Sequence, residues 1–298
     1  MRVAFIGLGL IGGSIARALR ARPDADVARL VAWSPEGRGP ARAREAGVVD
    51  VAAPGLAEAL RGADLVILAA PPLATLELID RIAGLPHGTL PDEATVTDVA
   101  STKAEVVARA DAAGLRFVGG HPMAGREVTG FESAMAGLFV GRPWIVVPGG
   151  HASAIDVDRV ETLALACGAR PIAMSAAAHD AAAAAVSHAP LVLSAALVEA
   201  VAGAPGVEPP PGADAARALA ASGWQGMARL AKGDPEMGAG ILATNAPAVA
   251  ACLRDLRDRL DAWIAELEAD GGPDAGRVRT ALEADRERAV AWEREEPG

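Results

Sequence analysis

The sequence contains no tyrosine, and it has only two cysteines and two lysines among 298 residues. Cys167 and Cys252 are far apart and belong to no CxxC pair or metal-ligand spacing, which argues against a disulfide framework and a cysteine-based metal site. We expect two reduced thiols in a cytoplasmic protein that holds no metal ion.

An excess of basic charge is also missing. Aspartate and glutamate outnumber lysine and arginine by 38 to 28, which gives a formal net charge of −10. Such a chain is not expected to bind nucleic acid or an anionic membrane surface. If its ligand is a small acid, a local cluster of cations must bind it.

No Asp, Glu, Lys or Arg occurs between Asp180 and Glu199. The stretch approaches the minimum length of a membrane-spanning helix, but it contains His188, Pro190 and Ser194 and has no basic flank. We therefore expect a helix buried inside a soluble protein or a homodimer, and no membrane span. The chain enters a strand pattern at its second residue, so no signal peptide is expected either.

The first part of the chain alternates short apolar runs with amphipathic stretches. This alternation predicts a Rossmann-like, doubly wound α/β fold with a mainly parallel sheet. After Ser175 only helical patterns continue, so we predict an α/β domain over residues 1–175 and an all-helical domain over residues 176–298. The predicted strands are Val3–Ile6, Leu30–Trp33, Leu65–Ala69, Thr95–Thr97, Phe117–Val118, Trp144–Val147 and Arg170–Met174.

A GxGxxG motif lies at Gly7, Gly9 and Gly12. It follows a predicted strand and opens a predicted helix, which is the context in which this motif binds a dinucleotide. Gly7 permits the tight turn, Gly9 admits the pyrophosphate, and Gly12 allows close packing of helix and strand. We expect the pyrophosphate to bind backbone N–H groups of this turn, next to Leu10 and Ile11.

The end of the second predicted strand bears on which dinucleotide binds. The strand runs into Ser34 with no carboxylate, and Arg38 and Arg42 follow shortly. A hydroxyl with nearby guanidinium groups favours the 2′-phosphate of NADP, whereas Glu36 would suit the ribose of NAD. We expect NADP or NAD, with NADP favoured, and we expect Pro71 after the third predicted strand to line the same site.

Four polar segments lie outside this motif: TDVASTK (97–103), GGHPMAGRE (119–127), VSHAP (186–190) and ASGWQGMARLAKGDPE (221–236). Together with GLGLIGGS at 7–14, their order and spacing resemble the prephenate/arogenate (cyclohexadienyl) dehydrogenase family over nearly the whole chain. The resemblance implies a Rossmann-like nucleotide domain and a helical dimerisation domain. It also implies hydride transfer to NAD(P)+ from the ring carbon that bears the 4-hydroxyl, with loss of CO2, on the route to tyrosine.

The same resemblance implies roles for five residues. His121 corresponds to the histidine that accepts the proton of the 4-hydroxyl. Ser101 corresponds to the serine that links this hydroxyl, the histidine and the nicotinamide. Arg229 corresponds to the arginine that binds the substrate carboxylate, and Glu127 and His188 correspond to polar residues that line the pocket.

The chemistry of these residue types agrees with the implied roles. A neutral imidazole with a pKa of about 6.5 suits a base that removes a proton as hydride leaves, and a guanidinium suits bidentate carboxylate binding. Two positions depart from the family pattern: Leu191 stands where some members have a histidine, and Gly238 where some have a tryptophan. The choice between prephenate and arogenate therefore stays open.

Two other functions stay open from the residues alone. One is another two-domain NAD(P)-dependent reductase, of the β-hydroxyacid or imine type, and the other is a non-catalytic dinucleotide sensor that dimerises through its helices. Lys103 lies beside Ser101, and either a requirement for a compact charge or chance accounts for it. The remaining histidines are interpreted as packed or surface side chains; they are His87, His151 and His179.

Overall fold

The computed structural model describes residues 1–22, 28–126 and 128–294. Its strands are β1 Arg2–Ile6, β2 Arg29–Trp33, β3 Val51–Ala52, β4 Leu65–Leu68, β5 Thr95–Asp98, β6 Phe117–Pro122, β7 Pro143–Pro148 and β8 Arg170–Ala173. They form one sheet in the order β3-β2-β1-β4-β5-β6-β7-β8. Each neighbouring pair is parallel except β6 and β7, which are antiparallel.

Helices form most of the connections between these strands. They are α1 Leu10–Arg20, α2 Arg38–Glu45, α3 Leu56–Leu60, α4 Pro72–Ala83, α5 Ala104–Ala112 and α6 Ala154–Ala166. The predicted Rossmann-like, mainly parallel α/β fold is confirmed. Among the described strands, β3 alone was not predicted, because two residues are too few to show a period.

The sheet is buried on both faces. In β1, Val3 and Phe5 pack into one apolar core, and Ala4 and Ile6 pack into the other. A strand that is covered on both sides needs apolar residues at every position, which explains the short unbroken apolar runs of the sequence. The polar residues of a site must therefore come mainly from the carboxyl ends of the strands and the loops that follow them.

After β8 the chain is helical, as predicted. Helix α7 Ala176–Ala183 continues through a π-helical turn, Ala184–His188, into α8 Ala189–Ala202. The other helices are α9 Ala213–Leu219, α10 Ser222–Met227, a 3-10 helix at Leu230–Lys232, α11 Pro235–Thr244, α12 Ala246–Leu267 and α13 Ala275–Arg294. Asp234 caps α11, where its side chain accepts the N–H of Glu236 at 2.9 Å.

By its internal contacts the chain divides into two compact units, Met1–Val249 and Ala250–Gly298. The first unit holds the sheet, helices α1 to α11 and the start of α12. The second holds the rest of α12 and α13. The boundary expected at residue 175 separates the sheet from the helices that follow it, and as a boundary between domains it stays a prediction.

The uncharged stretch of the sequence is helical. Within the described residues, Ala176–Ala202 is the one helical stretch that is long and apolar enough to cross a membrane. Of its most apolar 18-residue segment, 28% is buried. His179, Asp180 and His188 of this stretch are buried and hydrogen-bonded to other elements. The described chain therefore leaves much of the apolar surface of this helix uncovered, and such a surface marks an interaction site.

Candidate active site

The glycine turn between β1 and α1 is shaped by close contacts with the end of β4. Gly7 has a φ of 95°, and a Cβ there would lie 2.3 Å from the carbonyl oxygen of Ala69. A Cβ at Gly12 would lie 2.9 Å from the Ala69 Cβ. A Cβ at Gly9 would meet no described atom within 4 Å. Packing thus requires two of the glycines, and the space beside the third is open.

The start of α1 offers the N–H groups that a dinucleotide needs. Gly9 is the N-cap, and no side chain of the described residues caps this turn. The N–H groups of Leu10, Ile11 and Gly12 in the first turn have no partner within the helix, so they can bind an anion. Pro71 immediately precedes α4 at the end of β4, the neighbour of β1. The open space at Gly9 and these N–H groups fit a pyrophosphate.

The end of β2 carries both of the groups that could recognise the adenosine ribose. The Ser34 Oγ accepts the N–H of Gly37 at 3.2 Å. The Arg38 guanidinium forms an ion pair with Glu36, and both side chains are exposed. Since the cation and the carboxylate neutralise each other here, this edge of the sheet suits neither cofactor exclusively.

Asp98, at the end of β5, connects the two loops that carry the predicted catalytic residues. Its Oδ2 accepts the N–H of Ala100 at 2.9 Å, next to Ser101, and its Oδ1 accepts the N–H of Gly120 at 3.0 Å, next to His121. One buried carboxylate thus fixes both backbones. Ser101 and His121 are brought to the same edge of the sheet and are partly exposed there.

Lys103 is fully buried and forms an ion pair with Asp98. Burial lowers the pKa of its ammonium group, and Asp98 opposes that shift. A Cβ at Gly119 would lie 2.9 Å from the Lys103 Cδ, so the side chain fills the space against β6. The structure therefore gives this lysine a structural role, which the sequence left open between requirement and chance.

His121 begins a chain of hydrogen bonds into the helical part. Its Nδ1 lies 2.8 Å from the His179 Nε2, and the His179 Nδ1 lies 2.7 Å from the Asp180 Oδ1. The Asp180 carboxylate also accepts the N–H of Lys103 at 2.7 Å and that of Ala104 at 2.8 Å, at the start of α5. The loop of Ser101, strand β6 and helix α7 are joined through these groups.

The electrostatics of the cluster keep the His121 ring neutral. Burial holds its pKa well below the ordinary 6.5, and His179 and Lys103 lower it further. Burial alone would raise the pKa of Asp180, but the hydrogen bonds from His179 and from two backbone N–H groups more than offset this, so its pKa lies below the ordinary 3.8. The expected value of about 6.5 for the base was therefore too high.

His188 belongs to a second branch of the same network. Its Nδ1 lies 3.0 Å from the Asn245 Nδ2, which also donates to the Asp180 carbonyl oxygen at 2.8 Å. Burial lowers the pKa of His188 to about 4. Because its Nδ1 already accepts from an amide, a neutral His188 carries its proton on Nε2 and is a donor rather than a base.

Of the five residues implied by the resemblance, Ser101, His121 and His188 lie in or beside this network. Arg229 is exposed and precedes the 3-10 helix Leu230–Lys232, which is attached to α8 by a bond from the Ala231 N–H to the Ser194 Oγ at 2.9 Å. Its role in binding a carboxylate stays a prediction. Glu127 lies outside the described residues.

Sequence reasoning missed three members of this cluster and the contacts of a fourth. His179 was interpreted as a packed or surface residue; it is buried, and it contacts His121 directly. Asp98, Asp180 and Asn245 were not singled out. Asp180 did carry a signal, because it is the last acid before the uncharged stretch that runs to Glu199, and a buried carboxylate in that position needs hydrogen-bond partners.

Comparison with known proteins identifies the family. The family model described as "Prephenate dehydrogenase, nucleotide-binding domain" matches residues 15–173, and "Prephenate dehydrogenase, dimerization domain" matches residues 175–276. The chain belongs to the prephenate dehydrogenase family. It is an oxidoreductase family, and the resemblance read from the motifs is confirmed.

Curated relatives and solved structures agree. The chain is 31% identical to a prephenate dehydrogenase of Bacillus subtilis over 89% of its own length and 68% of that protein. It is 31% identical to a cyclohexadienyl dehydrogenase of Zymomonas mobilis over 94% and 88%. The arogenate dehydrogenase structure from Synechocystis is 30% identical, with a TM-score of 0.79 over 97% of this chain and 100% of that one.

A prephenate dehydrogenase structure from A. aeolicus has a TM-score of 0.85 and 25% identity over 98% of both chains. That protein was solved with hydroxyphenyl propionate and NAD+. The members of the family thus share the fold described above, including the nucleotide-binding sheet and the helical dimerisation domain.

Proposed function

We propose that this chain oxidises and decarboxylates prephenate, arogenate or both, giving 4-hydroxyphenylpyruvate or tyrosine. The observation that carries the proposal is the position of His121, a neutral imidazole at the carboxyl edge of β6 whose Nδ1 is engaged by His179. The ring therefore has one nitrogen left for a substrate, at the edge where parallel sheets bind their ligands.

In the proposed mechanism the His121 Nε2 accepts the proton of the substrate 4-hydroxyl as hydride leaves the ring carbon that bears this hydroxyl. A dinucleotide whose pyrophosphate is held at the glycine turn would supply the nicotinamide that accepts the hydride. Ser101 hydrogen-bonds the hydroxyl and keeps it next to the imidazole. Arg229 binds a substrate carboxylate. As the ring carboxylate leaves as CO2, its bonding electrons pass through the ring to the C4 oxygen, the ring becomes aromatic, and this oxygen takes the proton back from His121. His188 and Glu127 line the pocket.

For the cofactor we propose NADP or NAD, with NADP used at least as well. Ser34 leaves room for a 2′-phosphate, and Arg38 is the nearest cation in the sequence, but its ion pair with Glu36 weakens this preference. Glu36→Gln should release Arg38 and raise kcat/KM with NADP+ relative to NAD+. A preference for NAD+ of about tenfold or more in the unaltered chain would contradict the proposal.

The substrate choice is proposed to depend on Leu191 and Gly238, the two departures from the family pattern. A Cβ at Gly238 would lie 3.5 Å from the Leu191 Cδ2, so the two positions are neighbours. Leucine and glycine supply no charge here. A histidine at residue 191 could bind the side-chain carboxylate of either substrate, but its protonated ring would repel the ammonium group that only arogenate carries. Leu191→His should therefore favour prephenate over arogenate.

The same chain is proposed to be a cytoplasmic homodimer. The dimerisation domain of the family covers residues 175–276, and the exposed apolar surface of α7 and α8 lies within it. No nucleic acid or membrane partner is proposed. Light scattering should give twice the 30.1 kDa chain mass, and a single monomeric species at micromolar concentration would contradict this.

The activity is tested by following reduced nicotinamide formation with each substrate and each cofactor. We expect turnover with prephenate, arogenate or both. A dinucleotide sensor would bind NAD(P)+ in calorimetry without turnover of either substrate, and this result would overturn the proposed function.

A further inference from the structure

We propose that His179 and Asp180 are positioning residues that hold His121 in the tautomer whose Nε2 is free of a proton. The inference rests on the proposed function in one respect, that His121 is the base. The tautomer itself is a property of the folded chain and can be measured without substrate.

The argument starts at Asp180, because an ionised carboxylate can only accept hydrogen bonds. Three donors converge on it: the N–H groups of Lys103 and Ala104, and the His179 ring. Two of these are backbone N–H groups at the start of α5, which can only donate. The carboxylate is thus fixed in place, and its Oδ1 requires a proton on the His179 Nδ1.

A neutral imidazole carries one proton, so a proton on the His179 Nδ1 leaves its Nε2 as an acceptor. That Nε2 lies 2.8 Å from the His121 Nδ1. The His121 Nδ1 must then donate, which places the single proton of His121 on Nδ1. Its Nε2 keeps a lone pair, and this is the form that a base needs.

The arrangement also stabilises the product of the proton transfer. When the substrate O–H bond breaks, the proton forms a bond to the His121 Nε2, and the ring becomes a cation that still donates through Nδ1 to His179. The negative charge of Asp180 lies on the far side of His179, 2.7 Å from its Nδ1. It opposes the repulsion that Lys103 and the other rings impose on that cation.

Two substitutions at residue 179 separate this role from simple packing. His179→Leu removes the acceptor, and a His121 proton on Nδ1 would then be a buried donor without a partner. Such a donor disfavours that tautomer by about 5- to 150-fold. His179→Gln keeps one donor and one acceptor, and Asp180 orients it so that the amide nitrogen faces the carboxylate and the oxygen faces His121.

The primary measurement is the ring-nitrogen NMR spectrum of the full chain labelled with 15N-histidine, at neutral pH. The chain has five histidines, and the His121→Asn and His179→Gln spectra assign the two signals of interest. We expect His121 and His179 each to be protonated on Nδ1 alone. In His179→Leu we expect the His121 proton to move to Nε2, and in His179→Gln to remain on Nδ1.

Kinetics provide the second measurement. We expect His179→Leu to lower kcat by about 5- to 150-fold with little change in KM, and His179→Gln to restore most of it. His87→Leu serves as the matched control, because it makes the same substitution at an exposed histidine outside the cluster.

The outcomes are distinct. A His121 proton on Nε2 in the unaltered chain, two protons on His179, or an unchanged His121 tautomer in His179→Leu would each overturn the proposal. Equal loss of kcat in the Leu and Gln variants would also overturn it, because packing alone would then explain the effect. If the spectra are as expected but neither substrate is turned over, the proposed function fails and the tautomer assignment stands.

Discussion

The glycine turn at Gly7–Gly12 and the histidine cluster around His121 lie at the same edge of one sheet, but they are built differently. The turn consists of backbone contributed by six consecutive residues, and its shape depends on contacts with Ala69. The cluster consists of side chains from β6, α7 and the residue after α11, joined across sequence separations of 58 and 65 residues. Backbone N–H groups dominate the first region, and titratable rings dominate the second.

The difference determines how each region should respond to change. A backbone site tolerates any substitution that leaves its space and φ angles intact, whereas a network of hydrogen-bonded rings couples every member to its neighbours. Chemistry should therefore be most sensitive in the cluster, and cofactor binding should be sensitive to a single methyl group in the turn.

The largest expected effect is at His121. His121→Asn should lower kcat by about 10²–10⁴ with little change in KM, because the base acts only as the proton moves. The pH profile should also change. The neutral ring is the active form, so kcat should fall as the pH drops through the lowered pKa of His121, below 6.5, and this limb should vanish in the variant.

His188→Asn is the companion for that measurement, because asparagine can still accept the Asn245 hydrogen bond through its own carbonyl. We expect it to keep the acid limb, with its effect confined to KM. If the fall of kcat at low pH persists in His121→Asn but vanishes in His188→Asn, then His188 is the base and His121 is not.

The next effect is on acid stability. His188 has a pKa of about 4 in the folded chain against an ordinary 6.5. The unfolded chain therefore takes up a proton as the pH falls through 6.5, and the folded chain does so only near 4. Stability should be complete above pH 6.5 and decline by about 3 kcal/mol between these values, with His121 acting in the same direction.

Urea unfolding at pH 7 and pH 4.5 measures this loss. It should be smaller in His188→Asn than in the unaltered chain. His87→Asn, at an exposed histidine, should leave it unchanged. An equal loss in all three proteins would assign the acid sensitivity to other groups.

Arg229 comes third. Its exposed guanidinium is proposed to bind a carboxylate that is already present in the bound substrate, so Arg229→Ala should raise KM more than it lowers kcat. A charge-assisted hydrogen bond corresponds to a change of about 10- to 150-fold. Arg61→Ala, another exposed arginine, is the control. An unchanged KM would remove Arg229 from the site and with it a role that rests on the resemblance.

The sequence predicted the sheet and the glycine turn better than it predicted the histidine cluster. The parallel sheet and the glycine turn could be predicted because each depends on residues close together in the chain, apolar runs in one case and three glycines in the other. The antiparallel pairing of β6 and β7 could not, since an apolar run does not encode direction.

The cluster was predicted only where a motif pointed to it. His121 was identified within GHPMAG, and the comparisons confirm the family. The contact of His179 with His121 was missed because nothing near His179 in the sequence distinguishes one packed histidine from another. His121 lies on β6, and the N–H groups that bind the neighbouring Asp180 lie at the start of α5, so only the fold brings these groups within 3 Å.

The smallest effect concerns the glycine turn itself, and it uses two identical substitutions. Gly9→Ala places a methyl group in open space at a φ of −90°, so the unfolding free energy should change little. The methyl group would occupy the position proposed for the pyrophosphate, and the KM for the cofactor should rise about tenfold while the KM for the substrate stays the same.

Gly7→Ala should instead lower the free energy of unfolding. Its φ of 95° costs alanine about 1–2 kcal/mol and the contact with the Ala69 oxygen adds to this, so the loss should be seen first in thermal unfolding. If Gly9→Ala destabilises the chain as much as Gly7→Ala and leaves the cofactor KM unchanged, then the turn is only structural. The dinucleotide would in that case have to bind elsewhere along this edge of the sheet.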